Sequence, residues 1–302
     1  MVNIIKHRYI NLALSGALFV VSVVALLVFG LKTGNDFKGG SLLETRFTEN
    51  VPVVTEVKAS IESLSLGSIS VQETNEKGLI VKMPFLSDAD HTKVLNKIRT
   101  DFEKDNNKVL EVRFETIGPA VSKELKSRSL YALFVVVVGI ILYIAYSFRK
   151  VSRPVASWKY GLVAVVALFH DVTITAGVFA FLGHFAGIEV DIPFVVALLT
   201  ILGYSVNDTI VVFDRIRENL IRHSAENFPD TVNVAINQTF ARSINTTLTT
   251  LLTLAVLYFI GGETIKNFTL ALLVGIFLGA YSSIFVASPL LVEWFRFDRR
   301  SR

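Results

Sequence analysis

PFVVALLTILGYSVNDTIVVF, Pro193 to Phe213, is an apolar run of bilayer-spanning length with one aspartate, Asp208, near its end. A helix needs about 20 apolar residues to cross a hydrocarbon core about 30 Å thick. An ionised carboxylate at such depth costs at least about 2.5 kcal/mol even on lenient scales. It therefore persists where it is paired, neutralised by a proton or set in a wet pathway. Asp208 marks both the fold class, a membrane bundle, and the place to look for chemistry.

Working outward, five more apolar runs resemble the first: Tyr9–Leu31, Ser129–Phe148, Tyr160–Leu182, Asn245–Ile260 and Phe268–Val292. The chain has 302 residues, is 52% apolar and only 19% charged, against about 25% charged in soluble domains. The expected class is a polytopic α-helical membrane protein with six transmembrane helices. No cysteine is present, which excludes disulfides, thiolate metal sites and thiol nucleophiles. The first run follows Lys6, His7 and Arg8 as a signal peptide would. It is too long for a signal core and is followed by no small-residue cleavage site, so it reads as an uncleaved span.

Basic residues cluster before the first run, between the second and third (Arg149, Lys150, Arg153, Lys159), between the fourth and fifth (Arg215, Arg217, Arg222, Arg242) and at the tail (Arg296, Arg299, Arg300, Arg302). The loops 183–192 and 261–267 carry one lysine between them. The positive-inside bias then places both termini in the cytoplasm. The expected organisation is a cytoplasmic N-terminus and first span (1–33), an outer domain (34–126), spans two to six (127–292) and a basic cytoplasmic tail (293–302).

The outer segment alternates between two periods. Ser41–Phe47 reads as a strand, and Val53–Leu64 as a helix with Val54, Val57, Ile61 and Leu64 on one face. Ile69–Thr74 and Gly78–Phe85 read as a hairpin around Asn75–Lys77. Ser87–Phe102 is a second helix with Ser87 as N-cap, and Val109–Ile117 a last strand. The order βαββαβ predicts a ferredoxin-like α+β extracytoplasmic domain between the first and second spans. It carries no catalytic constellation, and a mechanical or partner-binding role suits it better.

Within the fourth run, Thr200, Gly203, Tyr204, Asn207, Asp208 and Val211 fall on roughly one helix face. At about 1.5 Å per residue, Asp208 lies about 22 Å from the outer boundary, in the cytoplasmic half. In the fifth, Arg242, Thr246, Thr249, Thr250 and Thr253 share a side, flanked by Asn245. The stripe suits the wall of a hydrated channel. The alternative is that the threonines bond their own helix carbonyls and that Arg242 snorkels to the interface. The third run holds His170 and Asp171, about 100° apart on the helix, of which Asp171 is the preferred supporting carboxylate; a structural hydrogen-bonding role is an equal alternative for either. Ala271, Gly275, Gly279, Ser283 and Ala287 form a small-residue stripe in the sixth, a helix-packing signal. Val232–Phe240 reads as a short interfacial helix before the fifth span. There is no GxxxxGK[ST], HExxH or GxSxG motif. An enzyme is not expected, nor a metal site. Energy would come from an ion gradient acting on Asp208.

Three motifs then coincide: GNDFKGG (Gly34, Asp36, Phe37, Gly39 and Gly40 among them), GYSVNDTIVVFDRIREN from Gly203, and ARSINTTLTTLLT from Ala241. With the span pattern, they make the whole chain similar to the SecF branch of the SecD–SecF family, in the resistance–nodulation–division superfamily. The resemblance implies a subunit of the Sec protein-export machinery in the bacterial inner membrane. It implies SecD as obligate other half, the SecYEG translocon, YajC and YidC as further partners, and an unfolded preprotein as cargo. It implies protons as coupling ion, with sodium open, no cofactor, Asp208 as proton carrier and Arg242 as its charge partner. The proposed pathway comprises Asp208, Arg242, Asn207, Asp171, Thr246 and Thr250. A proton-driven small-molecule exporter and a non-conducting scaffold of the translocase are the competing readings.

Overall fold

The computed structural model describes residues 2–74, 77–104, 106–147, 155–222 and 227–300. The predicted hairpin turn at Asn75, the loop cations Arg149, Lys150 and Arg153, and Arg302 lie outside the described residues. The chain divides into two compact units, Thr33–Leu130 and the combination of Met1–Lys32 with Tyr131–Arg302.

The smaller unit begins with a single helical turn, α2 (Asn35–Lys38), after the first long helix, α1 (Arg8–Val28). It continues as β1 (Gly40–Phe47), α3 (Val54–Glu62), β2 (Ser70–Thr74), β3 (Gly78–Met83), α4 (Asp88–Phe102) and β4 (Val109–Ile117). The four strands form one antiparallel sheet in the order β2-β3-β1-β4. Period-2 alternation in β1 and β3 puts Leu43, Phe47, Leu79 and Val81 on the inner face. Val57 and Ile61 of α3, with Val94 and Ile98 of α4, close over them. The cap at Ser87 is reciprocal: Asp90 N–H donates to its Oγ at 3.3 Å, and its hydroxyl donates to Asp90 Oδ2 at 2.8 Å. Gly40, at φ 145°, starts β1 where an added Cβ would fall 2.6 Å from the Met83 carbonyl oxygen. No larger residue fits that approach.

The larger unit is helical. Among the described residues, six helices are long and apolar enough to cross a membrane: Ile5–Val28, Pro119–Ser147, Trp158–Phe185, Ile192–Ile221, Phe228–Ile260 and Thr264–Arg299. They contain α1, α5 (Pro119–Ser147), α6 (Ser157–Phe185), α7 (Ile192–Ile221), α8 (Phe228–Ile260), and a last helix made of α9 (Glu263–Ser282), a π-helical turn (Ser283–Ala287) and α10 (Ser288–Arg300). The chain is thus a multi-pass membrane protein. The interfacial helix expected at Val232–Phe240 is corrected: it is the first part of α8, because neither glycine nor proline interrupts the chain between Pro229 and Gly261. Residues 293–300, read as a tail, continue the last helix.

Helix α7 is central, packed on α6, α8 and α9, while α1 lies on α6. Close approach is set by missing side chains. A Cβ on Gly275 would fall 2.2 Å from Ile201 Cδ1, and one on Gly279 2.9 Å from Ser205 Cβ, so the small-residue face of α9 lies directly on α7. Gly177 of α6 is tighter against backbone: its Cβ would meet Ser22 Cα of α1 at 2.6 Å. In contrast, α1, α5 and α8 bury little of their apolar surface within the chain.

Candidate functional site

Asp208 sits on the buried face of α7 with Ser205, Thr209 and Val212, and is 6% exposed. Ser243 of α8 donates its hydroxyl to Asp208 Oδ1 at 2.8 Å. The other carboxylate oxygen, Oδ2, is buried without a hydrogen-bond partner among the described residues. A buried acceptor with free capacity is costly unless a proton, water or cation reaches it.

That carboxylate lines a cavity of ≈ 330 Å³ between α7 and α8, together with Tyr204, Asn207, Val211, Arg242, Thr246, Thr249 and Thr250. The structure therefore gathers Asp208, Arg242, Asn207, Thr246 and Thr250 around one space. Arg242 is exposed and not ion-paired with Asp208: no nitrogen of Arg242 lies within 4.0 Å of its carboxylate oxygens. It acts on Asp208 as an electrostatic neighbour across the cavity. The threonine hydroxyls donate down their own helix: Thr246 to the Arg242 carbonyl at 2.9 Å, Thr249 to Asn245 at 3.0 Å, and Thr250 to Thr246 at 3.0 Å. The threonines thus bond their own helix carbonyls and also line the cavity. The protons are spent internally while the oxygens of Thr246, Thr249 and Thr250 still form a polar wall.

Asp171 is elsewhere. It is fully buried in α6 and not among the residues lining the cavity. Its Oδ2 accepts from Ser205 of α7 at 2.6 Å and Ser282 of α9 at 2.7 Å, and its Oδ1 is 2.9 Å from His170 Nδ1. One carboxylate so ties three helices. Ser205 is one turn from Asp208 on the same helix, and Thr209, beside Asp208, is 3.0 Å from Ser283 Oγ in the π-helical turn. Ser205 and Thr209 of α7, with Ser282 and Ser283 of the last helix, thus place hydroxyls on adjacent turns near the two acids.

Ser243, Ser205 and Ser282 were not singled out in the sequence. Ser243 lies beside Arg242 in the third motif, and its i+4 spacing from the buried Thr239 and Thr247 marks the inner face of α8. Ser205 and Ser282 had no signal of their own, since a serine's role in a helix depends on which neighbour it meets. The Gly34–Gly40 motif belongs to the smaller unit, where Gly34 is the N-cap of α2, Asp36 and Phe37 lie within its turn, and Gly39 at φ 78° ends it.

Residues 97–296 match the family described as protein export membrane protein SecD/SecF, C-terminal. The chain is 41% identical to protein translocase subunit SecF of Thermobaculum terrenum, over 97% of this chain and 94% of that protein. It is 38% identical to the Anaerolinea thermophila subunit of the same name, with the same coverage of both. Among solved structures it is similar to SecDF, a translocon-associated membrane protein from Thermus, with a TM-score of 0.81 and 34% identity over 97% of this chain. It matches SecDF in a super-membrane-facing form with a TM-score of 0.69 and 34% identity over 99% of this chain. It spans only 38% and 39% of those two SecDF chains.

Proposed function

Because the chain belongs to the SecD/SecF family of protein export membrane proteins, we propose that it is the SecF-type half of a proton-driven export complex. The coupling group is Asp208. The observation that carries this reading is the half-satisfied carboxylate: one oxygen held by Ser243, the other open, on a polar cavity that also holds Arg242.

The proposed cycle needs two states of α7 and α8. With Asp208 ionised, Arg242 would cross the cavity to pair with it; with Asp208 protonated, the attraction vanishes and the two side chains stay apart on the cavity wall. A proton that favours one arrangement shifts the population by its differential affinity for the two. That SecDF has been solved in a super-membrane-facing form supports a scaffold with more than one arrangement. Movement would pass along α7 and α1 to the smaller unit, whose strand order and two covering helices support the ferredoxin-like reading.

This half would work with SecD, against the SecYEG translocon, with YajC and YidC as further contacts, on an unfolded preprotein, in the bacterial inner membrane with both termini cytoplasmic. It would act as a transporter subunit without enzymatic chemistry. Protons are the favoured coupling ion and sodium the alternative. The test is gradient-dependent preprotein import into inverted vesicles carrying the complete SecD–SecF complex. Asp208→Asn, which fixes the neutral form, should abolish the gradient-stimulated part while leaving the ATP-driven part. Full stimulation with the variant complex assembled would reduce Asp208 to a packing contact and support the scaffold reading.

A further inference from the structure

The final helix sorts its charges by direction. Glu293 pairs with Arg8 of α1, and Asp298 with Lys159 of α6, so both acids are spent inside the bundle. Arg296 and Arg299, three residues apart on one face, form no ion pair among the described residues. They line an open cavity of ≈ 590 Å³ with Asn227, Pro229, Asp230 and Phe295. The Asp230 carboxylate is engaged by Asn227 Nδ2 at 2.6 Å, and among the described lining residues two arginines stand against one acid, a cationic balance. A second cavity of ≈ 560 Å³ adjoins it through Arg296. Its wall is apolar: Val163 and Val166 of α6, and Leu290, Trp294 and Phe297 of α10, with Glu293.

The depth of the pair is marked by aromatic rings. Trp158 and Trp294 meet edge to face at 5.2 Å, and the Lys159 ammonium lies 5.5 Å and 5.2 Å from the two ring centres. Tryptophan beside lysine is the arrangement found at headgroup level. A cationic cavity and an apolar groove that share one arginine at that level call for an occupant with an anionic head and hydrocarbon chains. A free anion would leave the groove empty, and a neutral lipid would leave two guanidinium forks unmatched. A phosphodiester suits those forks because arginine binds phosphate oxygens in pairs.

We propose that this end of the bundle is a binding site for an anionic phospholipid, its phosphate against Arg296 and Arg299 and an acyl chain along Trp294 and Phe297. The site rests only on the membrane-spanning architecture and stands apart from Asp208 and its cavity. It would fix the last helix, and through Glu293 and Asp298 the starts of α1 and α6, to the lipid surface.

The chain has two tryptophans, Trp158 and Trp294, and both are here, so their fluorescence reads the site directly. The full chain in detergent micelles is titrated with phosphatidylglycerol or phosphatidylcholine brominated in the acyl chains. Half-quenching by phosphatidylglycerol should come at a mole fraction about fivefold lower for each arginine engaged. Arg296→Gln/Arg299→Gln should erase the preference, and Arg222→Gln, whose arginine already pairs with Glu218 at 2.8 Å, should keep it. Arg299 is exposed, so Arg299→Gln alone must already narrow the preference, whatever becomes of the double variant. Equal quenching by the two lipids, or a preference that Arg299→Gln leaves undiminished, overturns the proposal. So does inorganic phosphate competing as well as unbrominated phosphatidylglycerol, since the site would then be for a free anion.

Discussion

Asp208 and Asp171 are both buried carboxylates, on neighbouring helices, yet their surroundings assign them different work. Asp171 receives two serine hydroxyls and a histidine nitrogen; nothing is left for it to bind. Asp208 receives one hydroxyl and keeps one oxygen open. Asp171→Ala strands Ser205 and His170 in the interior, at a cost of about 2–4 kcal/mol. It should lower the thermal unfolding midpoint of the purified complex clearly. Ser243→Ala removes only the donor to Asp208 and opens space for a methyl-sized gap. It should leave the midpoint nearly unchanged while altering the pH at which gradient-driven export is half-maximal. If the two variants affect stability equally and neither moves the pH profile, the division of labour is wrong. The acid Asp208 was legible in the sequence because a charge in an apolar run is conspicuous. Ser243 was not, because serine is neither apolar nor charged and shows its role only against a neighbouring helix.

Between helices, contact is decided where side chains are missing. Gly275 and Gly279 stood out as a four-residue repeat of small residues, and both lie on α7 against Ile201 and Ser205. Gly177, which has no such repeat around it, lies against the backbone of Ser22. This difference predicts an order. An added methyl at Gly275 meets only side-chain atoms of Ile201, Cδ1, Cγ1 and Cγ2, which can shift; at Gly177 it also meets main chain, which cannot. Gly275→Ala should cost about 1–3 kcal/mol and be partly rescued by Ile201→Val, whereas Gly177→Ala should cost more and find no rescue in Ser22→Ala. Comparing unfolding midpoints of the four variants in detergent checks the order; equal losses would contradict it. The limits of α8 were less legible, since the helix continues through a polar stretch, Asp230 to Asn245, that hydropathy alone separates from the span. There the absence of a breaker outweighed polarity.

Across the whole molecule, the element order of the smaller unit followed from two periods, 2.0 and 3.6, and the long helices from the length of the apolar runs, all of which depend on local sequence alone. What did not follow was the conformation of the proposed coupling site. The charges of Asp208 and Arg242 suggested a direct pair, whereas the arginine lies across a cavity wide enough to admit water. An unpaired arrangement fits one of the two proposed states, and a chain that works as half of a larger complex, as proposed, need not close the site by itself. The most direct measurement is proton flux into inverted vesicles containing this chain with its SecD partner, with wild type, Asp208→Asn and Arg242→Gln at matched levels and verified assembly. The account predicts that Asp208→Asn abolishes gradient-dependent flux and that Arg242→Gln reduces it at least about tenfold, equivalent to about 1.4 kcal/mol. Wild-type flux through the Asp208→Asn complex would contradict it.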